Sequence, residues 1–300
     1  MRVALDVMGG DHAPAAPVEA ALRAAADHGV DVVCVGAADL VAEHLRRAGG
    51  DLPVVDAPDV VGMDEDPVAA LRAKPRASVR VACELVAAGE AAAVVSAGST
   101  GATLTAALLA LGRAPGVRRP VVAAAIPVEG GRTVVLADAG GSMDVHPDVV
   151  GGYAAMARAY AQVLGAPEPR VGLLNVGHEP GKGHAWAKEA FDVLSATSGF
   201  AGNIEPAAVL AGDVDVVVTD GFTGNIFLKT LEAAAVPGDG EADTVASLLG
   251  VNGEVLVAHG AASAGDIAAA LRRAQQVAVA GLAQRISGQM SQAQERRDDG

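Results

Sequence analysis

Short β-branched runs separated by alanine-rich stretches of helical length constrain this chain more than any other feature. Residues 3–7 read as a strand, 17–27 as a helix, 31–35 as a strand and 39–48 as a helix. This alternation signals βαβ units and a mainly parallel sheet. It resumes with the run AAAVVSAG and a helix over 102–111. The runs 121–126 and 133–136 follow, joined by the turn-like Val128-Glu129-Gly130-Gly131, so a hairpin and one antiparallel element are expected. Further strands are expected at 171–176 and 214–219, and a helix from about Phe222. The expected fold is a single α/β/α sandwich with a mostly parallel, mixed sheet over residues 1–286. A surface loop is expected at 235–244 and a polar, disordered tail at 287–300.

Composition narrows the function classes. With 51% apolar and 19% charged residues, disorder, collagen and a disulfide scaffold are excluded. A formal charge of -14 argues against nucleic acid as a partner, because phosphate backbones are held by clustered Lys and Arg. Cys34 and Cys83 lie in apolar runs without CxxC spacing and read as small buried hydrophobes of a reducing compartment. The start MRVALDVMGGDHAP lacks the pattern of a signal peptide, and no apolar run reaches membrane-spanning length. A cytoplasmic protein, peripheral to a membrane at most, is expected.

Five expected strands end in glycine-rich or small polar turns: 6–14 (DVMGGDHAP), 96–103 (SAGSTGAT), 138–144 (DAGGSMD), 175–184 (NVGHEPGKGH) and 220–225 (DGFTGN). Open α/β folds bind ligands at the carboxyl ends of parallel strands. Glycine lets backbone N–H groups approach an anion, and a following helix adds its dipole. The shared composition points to a phosphate-like ligand, although each turn alone is also what βα connections require for φ and capping. GSTGAT lacks the third glycine of a dinucleotide fingerprint, and GHEPGKG lacks the spacing and hydroxyl of a Walker loop, so ATP and NAD are not indicated. His178 and His184 have no further His, Cys or carboxylate cluster at metal spacing. No metal and no cofactor are expected, and no G-x-S-x-G elbow supports an acyl-serine route.

The motifs MGGDHAP, VGMDEDPVAALRAKPRASVRVACELV (61–86), VVSAGSTGATLTAALLALGR (94–113), PRVGLLNVGHEPGKG (169–183), DVDVVVTDGFTGNIFLKTLE (213–232), LLGVNG and AHG together resemble, in order and along nearly the whole chain, the bacterial phosphate acyltransferases of phospholipid synthesis. The resemblance implies transfer of a long-chain acyl group from acyl carrier protein to inorganic phosphate, a homodimer, and a fold akin to phosphate acetyltransferases and isocitrate dehydrogenases. The chain departs from that family at several points. Ser99 stands where the family reads Asn, and Asp138 to Ser142 replaces a D-x-G-A-N turn. His178 replaces an acid. The stretch between Glu232 and Leu248 is shorter than the helical pair associated with membrane contact and the dimer, which argues against membrane association.

Phosphate is already a nucleophile and a thioester already activated, so positioning and preorganised donors suffice. Under the resemblance, phosphate is assigned to Gly9, Gly10, Asp11, Ser96, Gly98, Ser99, Thr100 and Gly101, together with Lys182. Asn225 is assigned to the oxyanion, Asp220 to orienting Lys182 or the turn, and His178 or Lys229 to protonating the leaving sulfur. Acyl carrier protein is acidic, so Arg72, Lys74, Arg76 and Arg80 form a candidate docking patch, with Arg113, Arg118 and Arg119 as a second. The face Leu104, Leu108 and Leu111 could line an acyl slot or simply face the core. Two other classes stay open: a short-chain phosphate acetyltransferase acting on coenzyme A thioesters, and an inactive relative that binds without turnover.

Overall fold

A computed structural model describes residues 1–234 and 245–298. The chain gathers into two compact units, one formed by Met1–Gly112 with Gly240–Ala283 and the other by Arg113–Asp239 with Gln284–Gly300. Along the chain run β1 (Arg2–Asp6), β2 (Asp31–Gly36), β3 (Val54–Asp56), β4 (Ala93–Ser96), β5 (Val121–Val128), β6 (Arg132–Ala137), β7 (Val171–Leu174), β8 (Phe200–Ile204), β9 (Val216–Val218), β10 (Ala246–Leu249) and β11 (Glu254–Val257).

In the first unit the strand order is β3-β2-β1-β4-β11-β10. All neighbours are parallel except the β10–β11 hairpin. The central strands are buried along most of their length: Val3 to Leu5, Val32 to Val35 and Ala93 to Val95 are at most 4% exposed. Strands covered on both faces by crossover helices read as continuous apolar runs, which is why alternation is absent here. The helices Ala15–His28, Ser78–Ala87 and Ala264–Ala280 pack against these strands. The first and last of these are alanine-rich, which favours helix and permits close approach to the sheet. Their ends are set locally. Ser263 and Asp266 form a capping box, while Gly29 and Gly281 close two helices in the left-handed conformation at φ 65° and 64°.

In the second unit the order is β5-β6-β9-β7-β8. β5 and β6 form the expected antiparallel hairpin, and β6, β9, β7 and β8 run parallel. The helix Val150–Val163 lies against β6 and β9, burying Tyr153, Met156 and Tyr160. The helix Gly221–Ala234 starts directly after β9. Four strands went unread in the sequence, β3, β8, β10 and β11, as did the helices Pro67–Ala73, Ser78–Ala87 and Ala264–Ala280. Residues 287–298, expected as a disordered tail, continue the helix Leu282–Asp298. The expected loop at 235–244, and with it most of the shortened stretch between Glu232 and Leu248, lies outside the described residues.

Candidate active site

In the first unit the turns after β1, β4 and β11 meet at the carboxyl ends of their strands. Asp6 ends β1 almost fully buried, and Ser96, which ends β4 fully buried, donates its hydroxyl to Asp6 Oδ2 at 2.7 Å. The same oxygen of Ser96 accepts the Gly98 N–H at 3.0 Å, while Asp6 Oδ1 accepts the Met8 N–H at 3.1 Å. Burial pushes the Asp6 carboxyl above the usual range, opposed by hydrogen bonds from Ser78, Ser96 and the backbone of Met8 and Gly9. These bonds commit the Ser96 hydroxyl inside the protein. It shapes the turn and has no free proton for a ligand.

Backbone contact explains two of the glycines. A Cβ on Gly9 would stand 2.7 Å from both Asp6 Oδ2 and Gly98 N, so the two turns close only without one. Gly10 sits at φ 100°, and the N–H of Asp11 donates to Gly260 O at 2.8 Å, drawing in the turn after β11. Ser99 caps the helix Thr100–Ala110 by accepting the Ala102 N–H at 3.4 Å. The first-turn N–H groups at Thr100 and Gly101 point from the helix end as anion donors do. A small cleft opens here, lined by Asp6, Gly9, Ser78, Ser96, Gly98 and Ser99, with Val60, Val61 and Val79 as its apolar wall. The eight residues from Gly9 to Gly101 expected to hold phosphate lie on these two turns or the helix start, whereas Lys182, assigned with them, belongs to the second unit. Ser78, the first residue of the helix Ser78–Ala87, was missed, because only the fold brings it to Asp6.

In the second unit the turns after β6, β7 and β9 lie at the carboxyl ends of parallel strands. Asp138 is fully buried, and its Oδ1 accepts the N–H groups of Gly140 at 3.0 Å and Gly141 at 2.7 Å. Its Oδ2 has no hydrogen-bond partner among the described residues. Burial pushes this carboxyl up to about 6 against those N–H bonds. The turn it bends is packed on the helix Gly221–Ala234. A Cβ on Gly224 would overlap Asp138 O, one on Gly221 would approach Ser142 O, and Gly140 lies against the side chain of Asn225. The sequence thus brings Asp138 and Asn225 together through three glycines. Arg119 Nε donates to Ser142 Oγ at 2.8 Å, anchoring the far end of the turn.

Asp220 accepts the N–H and the hydroxyl of Thr223 at 2.8 and 2.7 Å. Its carboxylate therefore fixes its own turn at the start of the helix, the turn being one of the two partners expected for it. The loop after β7 is held from beneath: Asn175 donates to Lys182 O at 3.2 Å and to Asn203 Oδ1 at 3.0 Å, and Asn203 donates to Glu179 O at 2.7 Å. This buried amide pair was not singled out in the sequence, although an Asn inside the short strand β8 was a visible signal. Lys182 is half exposed with Glu179 at 3.8 Å, a loose pair that leaves the ammonium largely solvated. His178 is exposed, with Glu205 at 3.5 Å. Lys229 is exposed further along the helix.

The proposed docking cations are mostly paired. Lys74 meets Glu65 at 2.5 Å, Arg76 meets Asp56 at 2.5 Å and Arg80 meets Glu84 at 2.8 Å, while Arg72 is exposed. In the helix Thr100–Ala110 the buried face is Ala102, Thr103, Ala106 and Ala107. Leu104 and Leu108 are half-buried beside it, and Leu111 is buried. Among the described residues no group of three or more His, Cys, Asp or Glu side chains could hold a metal ion, and no helix is long and apolar enough to cross a membrane.

Residues 1–236 match the family described as "Fatty acid synthesis protein". The chain is 43% identical to the phosphate acyltransferase of Thermus thermophilus over 325 aligned positions, covering 97% of this chain and 99% of the relative. It is 40% identical to that of Thermobifida fusca, covering 95% and 89%. The alignment with the Thermus protein is longer than this chain's 300 residues, so the relative carries segments absent here. Among solved structures, a phosphotransacetylase of Streptococcus pyogenes superposes with a TM-score of 0.68 at 20% identity over 93% of this chain and 94% of the other. A branched-chain phosphotransacylase of Enterococcus faecalis gives 0.65 at 17%, over 93% and 99%. Those likenesses establish the α/β sandwich fold, and the full-length sequence match establishes that the chain belongs to the phosphate acyltransferase family.

Proposed function

We propose that this protein transfers a long-chain acyl group from acyl carrier protein to inorganic phosphate, a step of phospholipid synthesis. A phosphate oxygen attacks the thioester carbonyl carbon, the C–S bond breaks, and the carrier leaves as a thiol once its sulfur takes a proton. The near full-length identity to phosphate acyltransferases carries this reading. No covalent enzyme intermediate is required, since both reactants are already competent and the protein has only to position them and stabilise charge.

In the first unit the N–H groups of Gly98 to Gly101 and the glycines at 9 and 10 provide the anion cradle, with Asp11 flanking it. Asp6 and Ser96 hold the cradle's shape. In the second unit Asn225 donates its amide to the developing oxyanion, and Gly140 and Asp138 fix its position. Lys182 supplies positive charge for phosphate, and His178, with Lys229 as the other candidate, protonates the leaving sulfur. Asp220 contributes by fixing the start of the helix that carries Asn225. The carrier docks through Arg72, Lys74, Arg76 and Arg80, the last three in partly exposed ion pairs weak enough to exchange for acids of a partner. The protein works as a cytoplasmic homodimer.

Donor preference tests this reading. In phosphate buffer, release of free thiol should be fast with palmitoyl-acyl carrier protein and slow with acetyl-coenzyme A. The reverse order would replace it with a short-chain acetyltransferase.

A further inference from the structure

The second unit contains a recess that none of the assigned roles uses. Its floor is the first turns of the helix Val150–Val163, where Gly151, Gly152 and Ala155 leave the surface low, and its apolar sides are Val117, Met156 and Met290. The recess is shallow and open to solvent on one side.

Gly151 and Gly152 lie in the first turn of this helix and leave the floor of the recess without side chains. The Gly152 position is bounded only by the flexible end of a methionine, since a Cβ there would lie 3.7 Å from Met290 Cε. The opposite wall is rigid. Gly116, at φ 73°, brings the loop so near the C-terminal helix that a Cβ would stand 2.6 Å from the Met290 carbonyl. A recess with small residues below and methionines beside it suits an unbranched, conformationally variable hydrocarbon.

One end is cationic. Arg118 and Arg119 line it together with the carboxylate of Asp148, which pairs with Arg118 at 2.8 Å. Arg119 bonds Ser142, the last residue of the turn that Asp138 bends and Asn225 packs against. Arg119 is therefore shared between the recess and the turn beside Asn225. An occupant with a hydrocarbon tail and an anionic or oxyanionic head matches both ends.

We infer that this recess is the acyl slot, the chain lying over Gly151 and Gly152 between Met156 and Met290 with its carbonyl or acyl-phosphate end at Arg119. The inference rests on the acyl-transfer reading and adds to it where chain length is measured. Each methylene excluded from an apolar site costs roughly fourfold in affinity.

The test is Gly152→Leu in the full chain, with kcat/KM measured for hexadecanoyl-, octanoyl- and butyryl-acyl carrier protein. The slot predicts a loss that grows with chain length, at least tenfold for hexadecanoyl and least for butyryl. An equal loss at every length, or none, overturns it. If Gly152→Leu does not fold, Ala155→Leu, one turn along the same face, takes its place with the same expected outcomes. If wild-type protein turns over no donor, the acyl-transfer reading fails, and palmitate binding by calorimetry decides the slot alone. Weakening of at least tenfold by the substitution supports the slot, and unchanged binding overturns it.

Discussion

Glu254→Gln should stabilise this protein, and only at neutral to alkaline pH. Glu254 opens β11 at 7% exposure, and its Oε1 accepts the N–H of Ala283 at 2.7 Å in the first turn of the helix Leu282–Asp298. A helix N-terminus favours a carboxylate. Burial works against it and prevails, raising this carboxyl from 4.5 to about 7. An acid whose folded value is raised binds its proton more tightly folded than unfolded, so stability falls as pH rises through that interval. The penalty is absent below pH 4.5, grows toward pH 7 and is complete above it. Full conversion of the shift corresponds to about 3 kcal/mol, an upper bound because a denatured chain retains some burial. Gln keeps the shape and the acceptor oxygen while removing the charge. In urea unfolding at pH 4 and pH 8.5, the variant's advantage should be near zero at the lower pH and about 1–3 kcal/mol at the higher one. An advantage independent of pH, or a destabilised variant at pH 8.5, would refute the reasoning.

Three further outcomes follow from the site. Lys182→Ala and Asn225→Ala should each lower kcat/KM at least tenfold, or about 1.4 kcal/mol, with unchanged circular dichroism; near-normal turnover in either removes that residue from the chemistry. Asp138 loses its charge as pH falls through about 6, so kcat should fall on the acid side near that value, and Asp138→Asn should flatten this limb at a lower plateau. A limb that persists in the variant would assign it to another group. Charge reversal at Arg76 and Arg80 should raise KM for the carrier several-fold at low salt and little at high salt, because exposed charges are screened within about 8–10 Å; no change at low salt would eliminate the patch.

The sheet was legible because its central strands are largely buried and therefore read as nearly continuous apolar runs, as at Asp31–Gly36 and Val121–Val128. The strands that escaped are those whose pairing is tertiary. β3 is three residues long, β8 carries a glycine and is buried only at its end, and the β10–β11 turn at Gly250 to Gly253 sits in a segment taken as a motif. The site divides in the same way. The glycine turns were visible as composition, since close backbone approach admits no other residue. Their partners were not: Asp6 and Ser96 meet across 90 positions and Asn175 and Asn203 across 28. The basic run at 72–80 was read as available charge because its acids were left out of account. Glu84, four residues after Arg80, was legible as a helical ion pair, whereas Asp56 reaches Arg76 only through the fold.

The central claim is that phosphate is the acyl acceptor. Purified protein incubated with palmitoyl-acyl carrier protein and radiolabelled phosphate should release carrier thiol and form labelled palmitoyl phosphate in equal amounts, with thiol release falling to background when phosphate is withheld. Thiol release that proceeds equally without phosphate, or intact carrier substrate after prolonged incubation with folded protein, would contradict the account.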